Sequence, residues 1–128
     1  MTAVGATLPE LTLDASPTFV VSTAMATRDF QDVHHDRDRA AAGGAPEIFV
    51  NILTTTGLVQ RFVTDWAGPS ARVGRVAIRL GVPCYAYDEL TFSGEVTAVE
   101  GQTLTVAVVG RVIRGDHVRG TVTIQVPA

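Results

Sequence analysis

Asn51-Ile-Leu-Thr-Thr-Thr-Gly-Leu-Val-Gln-Arg-Phe-Val-Thr-Asp-Trp66 carries the longest helical signal in the chain. Ile52, Leu53, Thr56, Val59, Phe62, Val63 and Trp66 recur at steps of three and four, which lays one apolar stripe along a helix expected over 49–66. Gly57 sits inside that helix. A helical glycine costs about 1 kcal/mol against alanine, so a sheet or a ligand is expected to approach closely there. From Ser70 onward the period changes from 3.6 to two. Val76, Ile78 and Leu80 form one row, and Leu90, Phe92, Gly94, Val96 and Ala98 a second. Leu104, Val106 and Val108 form a third, and Val118, Val122, Ile124 and Val126 a fourth. Glu100-Gly101 and Arg114-Gly115-Asp116 fall where tight hairpins belong. The C-terminal half therefore reads as an antiparallel meander with one buried face. A long apolar helix followed by such a sheet predicts an α+β fold. Periodicity leaves open whether the sheet wraps the helix or forms another sandwich with it.

Before the helix the pattern is shorter-ranged. Residues 11–13 and 18–21 read as short strands. Ser22 is a candidate N-cap for a helix running to about Phe30, and Asp36 opens a second helix over 36–42 that Gly43-Gly44 stops. The start, MTAVGATLPELTL, has no positive segment ahead of an apolar run, so no signal peptide is expected. No stretch approaches the roughly 20 apolar residues of a transmembrane helix.

At 128 residues the chain is the length of one domain, expected over 1–128. With 46% hydrophobic and 18% charged residues it is not a disordered sequence. The net charge of -3 gives no electrostatic footprint for nucleic acid or for an anionic membrane surface. All ten basic residues are arginine, which removes lysine Schiff-base chemistry. Cys84 stands alone among apolar and aromatic neighbours, so no intrachain disulfide can form. A buried structural thiol and a reducing, cytoplasmic location are expected.

Ionisable residues concentrate in Arg28-Asp-Phe-Gln-Asp-Val-His-His-Asp36, which holds two of the three histidines. An Asp and a His brought together in a partly dry cleft can hold and activate a water. Taken alone, the spacing of Asp29 and His34 fits a surface loop with capping acids as well as it fits an acid–base pair. His34, His35 and Asp36 make no complete metal site: successive side chains on extended backbone point to opposite sides, and no further ligands stand nearby. His117 alternates with core positions and is expected on the solvent side of its strand. Arg72, Arg75 and Arg79 read as a solvated face, with a role in holding phosphate groups as the alternative.

The order Asp29-x4-His34-x-Asp36 resembles the hydratase motif of the MaoC-like family, roughly S-G-D-x-N-P-x-H-x-D. Asp29 matches the catalytic Asp, Gln31 the Asn, His34 the catalytic His and Asp36 the Asp opening the next helix. Thr27-Arg28 stands for Ser-Gly and Asp32 for Pro. Asn51 to Leu58 is similar to the family's H-G-M-L-x-x-G-L at the start of its central helix, with Gly57 and Leu58 matching and Asn51-Ile52 replacing His-Gly. Gly81-Val-Pro83 to Phe92-Ser-Gly-Glu-Val96 looks like the family's following strand pair. The resemblance spans about residues 8–126. The runs TRDFQDVHHDRD, FVNILT, TGLVQR and VTDWAGPSA resemble one branch in particular, the small MaoC-like subunit of the heteromeric enoyl-CoA hydratase of bacterial cholesterol side-chain degradation.

That resemblance implies a hot-dog fold, an antiparallel sheet wrapped around one long central helix. It implies addition of water to a 2-enoyl-CoA, with Asp29 and His34 catalytic. A backbone N–H of Ile52 or Leu53 would serve the thioester oxygen, and Asn51 and Gly57 would lie at the substrate. It implies no cofactor or metal, CoA being part of the substrate. The implied partner is a larger MaoC-like subunit in a heterodimer or heterotetramer, with an aldolase acting on the hydrated product as a further one. The alternatives are a homodimeric (R)-specific hydratase for linear enoyl-CoA, an acyl-CoA thioesterase and a non-catalytic hot-dog partner subunit.

Overall fold

Ser16-Pro17 opens the first helix of the chain, where the β-branched residues that follow suggest a strand. In the computed structural model, which describes residues 2–128, α1 spans Pro17–Ala26. Ser16 accepts a hydrogen bond from the Phe19 amide at 3.0 Å, and Pro17 at the first position needs no partner for an N–H. The expected strand over 18–21 and the cap at Ser22 are thus corrected: the cap lies six residues earlier. Thr23 and Thr27 turn their hydroxyls back onto the carbonyls of Phe19 and Thr23, at 2.7 and 2.8 Å, and so fit inside the helix. A 3₁₀ turn follows at Asp32–His34, then α2 at Arg37–Ala42. As expected, Asp36 caps α2, accepting from the Arg39 amide at 3.1 Å.

The central helix α3 spans Ile52–Ala67 and starts later than its periodicity suggests. Asn51 is its N-cap, while Phe49 and Val50 remain extended and bond to the segment around Tyr85. Its buried face is Thr54, Thr55, Leu58, Val59, Phe62 and Val63. The expected stripe is therefore right at its C-terminal end and rotated at its start, where Ile52 and Leu53 are half exposed.

The sheet consists of β1 (Thr7–Asp14), β2 (Arg72–Leu80), β3 (Glu89–Glu100), β4 (Thr103–Val112) and β5 (Gly115–Gln125). Its order is β1-β3-β4-β5-β2, with every pairing antiparallel. β3, β4 and β5 form a meander as expected, but the first of the four expected rows, β2, pairs with β5 and not with β3, so β1 and β2 become the two edges. Leu90, Phe92 and Val96 form the buried row of β3, and a bulge between Val96 and Ala98 takes Ala98 out of it. Residues 81–88 form an irregular connection, so only the second half of the expected strand pair is a strand.

Phe62 of α3 stacks on Phe92 of β3 with centroids 5.8 Å apart. A Cβ on Gly94 would come within 2.9 Å of the Phe62 ring, so this glycine makes the notch that seats the helix on the sheet. Gly57, by contrast, meets nothing within 4 Å and is exposed; the close approach expected there is absent within this chain. The antiparallel sheet folded over the central helix is the hot-dog arrangement.

Candidate active site

α1 ends at Ala26, and the turn beyond it passes through Arg28 with a positive φ of 58°. That left-handed residue lets the Asp29 amide donate back to the Ala24 carbonyl at 2.9 Å, which sets Asp29 at the helix end. Asp29 Oδ1 accepts from the Gln31 amide at 3.3 Å, a local Asx turn. The following 3₁₀ turn carries His34 inward, with its side chain 7% exposed.

His34 Nδ1 lies 2.7 Å from the Phe49 carbonyl. A carbonyl can only accept, so Nδ1 carries the proton and, in the neutral ring, Nε2 is bare. That nitrogen stands 3.4 Å from Asp29 Oδ2. The Phe49 ring meets the imidazole edge-on at 5.0 Å and fixes its plane. Two acceptors side by side suit one water, which can donate a proton to each. Phe49 is a positioning residue that sequence reasoning missed; its carbonyl is invisible to any side-chain motif.

Asn51 is fully buried and its side chain is saturated. Nδ2 donates to Thr27 Oγ1 at 2.9 Å and to Asp29 Oδ2 at 3.2 Å, and Oδ1 accepts from the Thr54 amide and hydroxyl. It orients Asp29 and caps α3, and it is not among the residues that line the cavity described below. The Thr55 amide is taken by the Asn51 carbonyl at 3.1 Å. Among the described residues, the amides of Ile52 and Leu53 have no acceptor. Free amides at a helix start, on the positive end of its dipole, can receive a developing negative charge.

One cavity of about 250 Å³ is lined by Asp29, Gln31, His34 and Ile52 on one side and by Leu80, Val82 and His117 on the other. Neither Gly57 nor Leu53 lines it. His117 corrects the expectation of a solvent-facing residue: it is 3% exposed. The bulge at Gly110 and Arg111, where Val118 and Asp116 pair with successive residues of β4, leaves His117 unpaired and lets it turn inward beside Val118. Burial pushes its pKa below the usual histidine value, against smaller raising effects from the Val82 carbonyl and Asp88. Burial likewise raises the Cys84 thiol to about 12, so it is inert as a nucleophile. Among the described residues no three His, Cys, Asp or Glu side chains group to hold a metal ion. No helix is long and apolar enough to cross a membrane.

The model of the MaoC like domain matches residues 5–118. The chain belongs to the MaoC-like family. Among curated proteins it is 70% identical to the 3-oxo-4,17-pregnadiene-20-carboxyl-CoA hydratase beta subunit of Mycobacterium tuberculosis, over 122 residues and 95% of each chain. Among solved structures it is similar to a chain of the ChsH1–ChsH2 complex of M. tuberculosis, with 67% identity and a TM-score of 0.98 over 99% of this chain and 100% of that one. It shares its fold with the (R)-hydratase of A. caviae involved in PHA biosynthesis, at 21% identity and a TM-score of 0.90 over 98% of both chains. This MaoC-like chain is thus a relative of hydratase subunits of the lyase class, one of them a steroid carboxyl-CoA hydratase subunit.

Proposed function

We propose that this chain is the catalytic subunit of a heteromeric enoyl-CoA hydratase acting on a steroid side-chain enoyl-CoA, and that it works as one domain over 1–128. The observation that carries the reading is the pairing of Asp29 Oδ2 with a bare His34 Nε2 at 3.4 Å in a cavity also lined by Ile52, at a helix start whose first two amides are free. Water held between the two acceptors loses a proton to His34 Nε2 as its oxygen bonds to the β-carbon. The carbon–carbon π electrons move toward the thioester, whose oxygen takes the charge at the Ile52 or Leu53 amide. The imidazolium, stabilised by Asp29, then returns its proton to the α-carbon. Water is added across the double bond, and the ring ends as it began. Positioned acid–base groups are worth roughly 10²–10⁴-fold.

The 70% identity to a pregnadiene carboxyl-CoA hydratase subunit supports the steroid substrate. A cavity of about 250 Å³ lies below the roughly 300–1,000 Å³ of sites that enclose a whole ligand. The bulk of an acyl-CoA then needs a second wall. The solved relative is a complex of two different proteins, which supports a larger MaoC-like partner in a heterodimer or heterotetramer. Hydrating the 17-ene of a 20-carboxyl-CoA places a tertiary hydroxyl β to the thioester. Such a carbinol cannot be oxidised to a ketone, so carbon–carbon cleavage by an aldolase is the fitting next reaction. The composition and the single buried cysteine suit a reducing cytoplasm.

The test is co-expression with the larger subunit and assay of the purified complex on steroid and linear enoyl-CoAs. The complex is expected to bleach the enoyl-thioester absorbance without releasing CoA thiol, with preference for the steroid substrate. Thiol release in step with substrate loss would point to a thioesterase, and full activity of this chain as a homodimer to the linear-chain hydratase.

A further inference from the structure

His117 lines the cavity from β5, and Thr55 of α3 stands behind it, bonded to its ring. His117 Nδ1 donates to the Val82 carbonyl at 2.8 Å, which leaves Nε2 to accept from the Thr55 hydroxyl, also at 2.8 Å. Thr55 is fully buried. The backbone sews the same corner together: the Gly81 amide donates to the His117 carbonyl at 2.8 Å and the Val82 amide to Asp116 at 2.9 Å. The imidazole therefore bridges from the cavity wall at Val82 to the central helix. Both its nitrogens are engaged, so none is left for proton transfer. It also cannot swing aside without orphaning two buried polar groups, unlike a leucine or methionine in the same place.

We propose that the His117 imidazole, locked between Thr55 and Val82, is the floor of the acyl cavity and sets which acyl groups this chain accepts. A straight acyl chain would extend past the reacting carbons into the space between α3 and β5, and the ring stands across that path. A blunt, branched or ring-bearing enoyl group needs no depth there; its bulk leaves through the mouth. The inference rests on the hydratase reading above and deepens it to a selection by shape. Discrimination per methylene in an apolar pocket is about 10–200-fold, so a fixed floor suffices to separate a short enoyl group from an eight-carbon one.

The test uses the assembled complex carrying His117→Ala, His117→Asn or Thr55→Ala, any one of which decides the matter if folded. Two readouts are taken. The first is the ratio of kcat/KM for 2-octenoyl-CoA over crotonyl-CoA. The second is the ratio of equilibrium affinities for octanoyl-CoA over butanoyl-CoA, which cannot react. Both ratios are expected to rise at least about 10-fold in His117→Ala and less in the other two. A merely structural histidine would lower all values together and leave both ratios unchanged, and that result overturns the floor. If the wild-type complex hydrates no enoyl-CoA, the hydratase reading fails, while the affinity ratio still judges the floor.

Discussion

His34 and His117 line the same cavity, and each gives its Nδ1 proton to a backbone carbonyl, at 2.7 and 2.8 Å. They differ at Nε2. In His34 that nitrogen faces the Asp29 carboxylate across 3.4 Å, with a second acceptor beside it. In His117 it already accepts from Thr55. The same contrast runs through the first turn of α3, where Ile52 and Leu53 keep free amides and Thr54 and Thr55 do not. The His34 side of the cavity holds hydrogen-bonding capacity in reserve, and the His117 side holds none. Reserve capacity is what a reacting water and a developing oxyanion require; saturation is what a fixed wall requires.

The contrast breaks most visibly at Asp29 and His34. Asp29→Asn and His34→Ala are each expected to lower turnover of the assembled enzyme by at least about 10²-fold with the fold retained. His35→Ala, one residue along, is the control and has a much smaller effect. Near-wild-type turnover in either of the first two removes the pair from the chemistry. Next come the free amides. Ile52→Pro or Leu53→Pro deletes one donor at a helix start that tolerates proline, and the variant that removes the oxyanion donor is expected to lose roughly 10²–10³-fold in kcat. Full turnover in both folded variants places the donor elsewhere.

Asn51→Ala sits between the two regions, because one side chain caps α3 and orients Asp29. Loss of the cap is expected to cost about 1 kcal/mol in denaturant unfolding, with a fall in kcat of roughly 10-fold from the loosened carboxylate. Unchanged kcat with the same loss of stability leaves Asn51 a cap alone. The smallest effect concerns the floor. His117 has a lowered pKa in the fold, so below about pH 6.5 the unfolded chain takes up a proton that the native ring refuses. Stability is therefore full above that pH and falls as the pH drops through it toward the lower native value. Denaturation midpoints from pH 7.5 to 5.5 report this, and His117→Gln is expected to flatten the curve.

The meander and the C-terminal half of α3 were legible because one face of each is buried along its length. α1 was not: Thr18, Val20 and Val21 favour strands, and the local Ser16-Pro17 start outweighs them. Ile52 and Leu53 misled the helical stripe because they are apolar and yet half exposed at the helix start. Asp29 and His34 could be singled out only by resemblance to a family motif, since their spacing alone fits a capped loop equally well, and the structure brings them together. Their supports could not, since Phe49 acts through its carbonyl and Asn51 through a turn two dozen residues away. His117 defeated strict alternation because a bulge, which no side-chain pattern records, turns it and Val118 inward in succession.

The strand order also bears on how the chain is made. Leu11 of β1 pairs with Phe92 of β3, and Arg72 of β2 with Gln125 at the end of β5. At a synthesis rate of roughly 5–20 residues per second, β1 leaves the ribosome about 4–16 s before its partner strand exists. The strand made last, β5, belongs inside the sheet between β4 and β2. β1 can pair only once β3 has emerged, and β2 stays an unpaired strand until β5 is made. Completion of the sheet thus waits for β5, and until that strand emerges the part of α3 it covers is a surface that chaperones can hold.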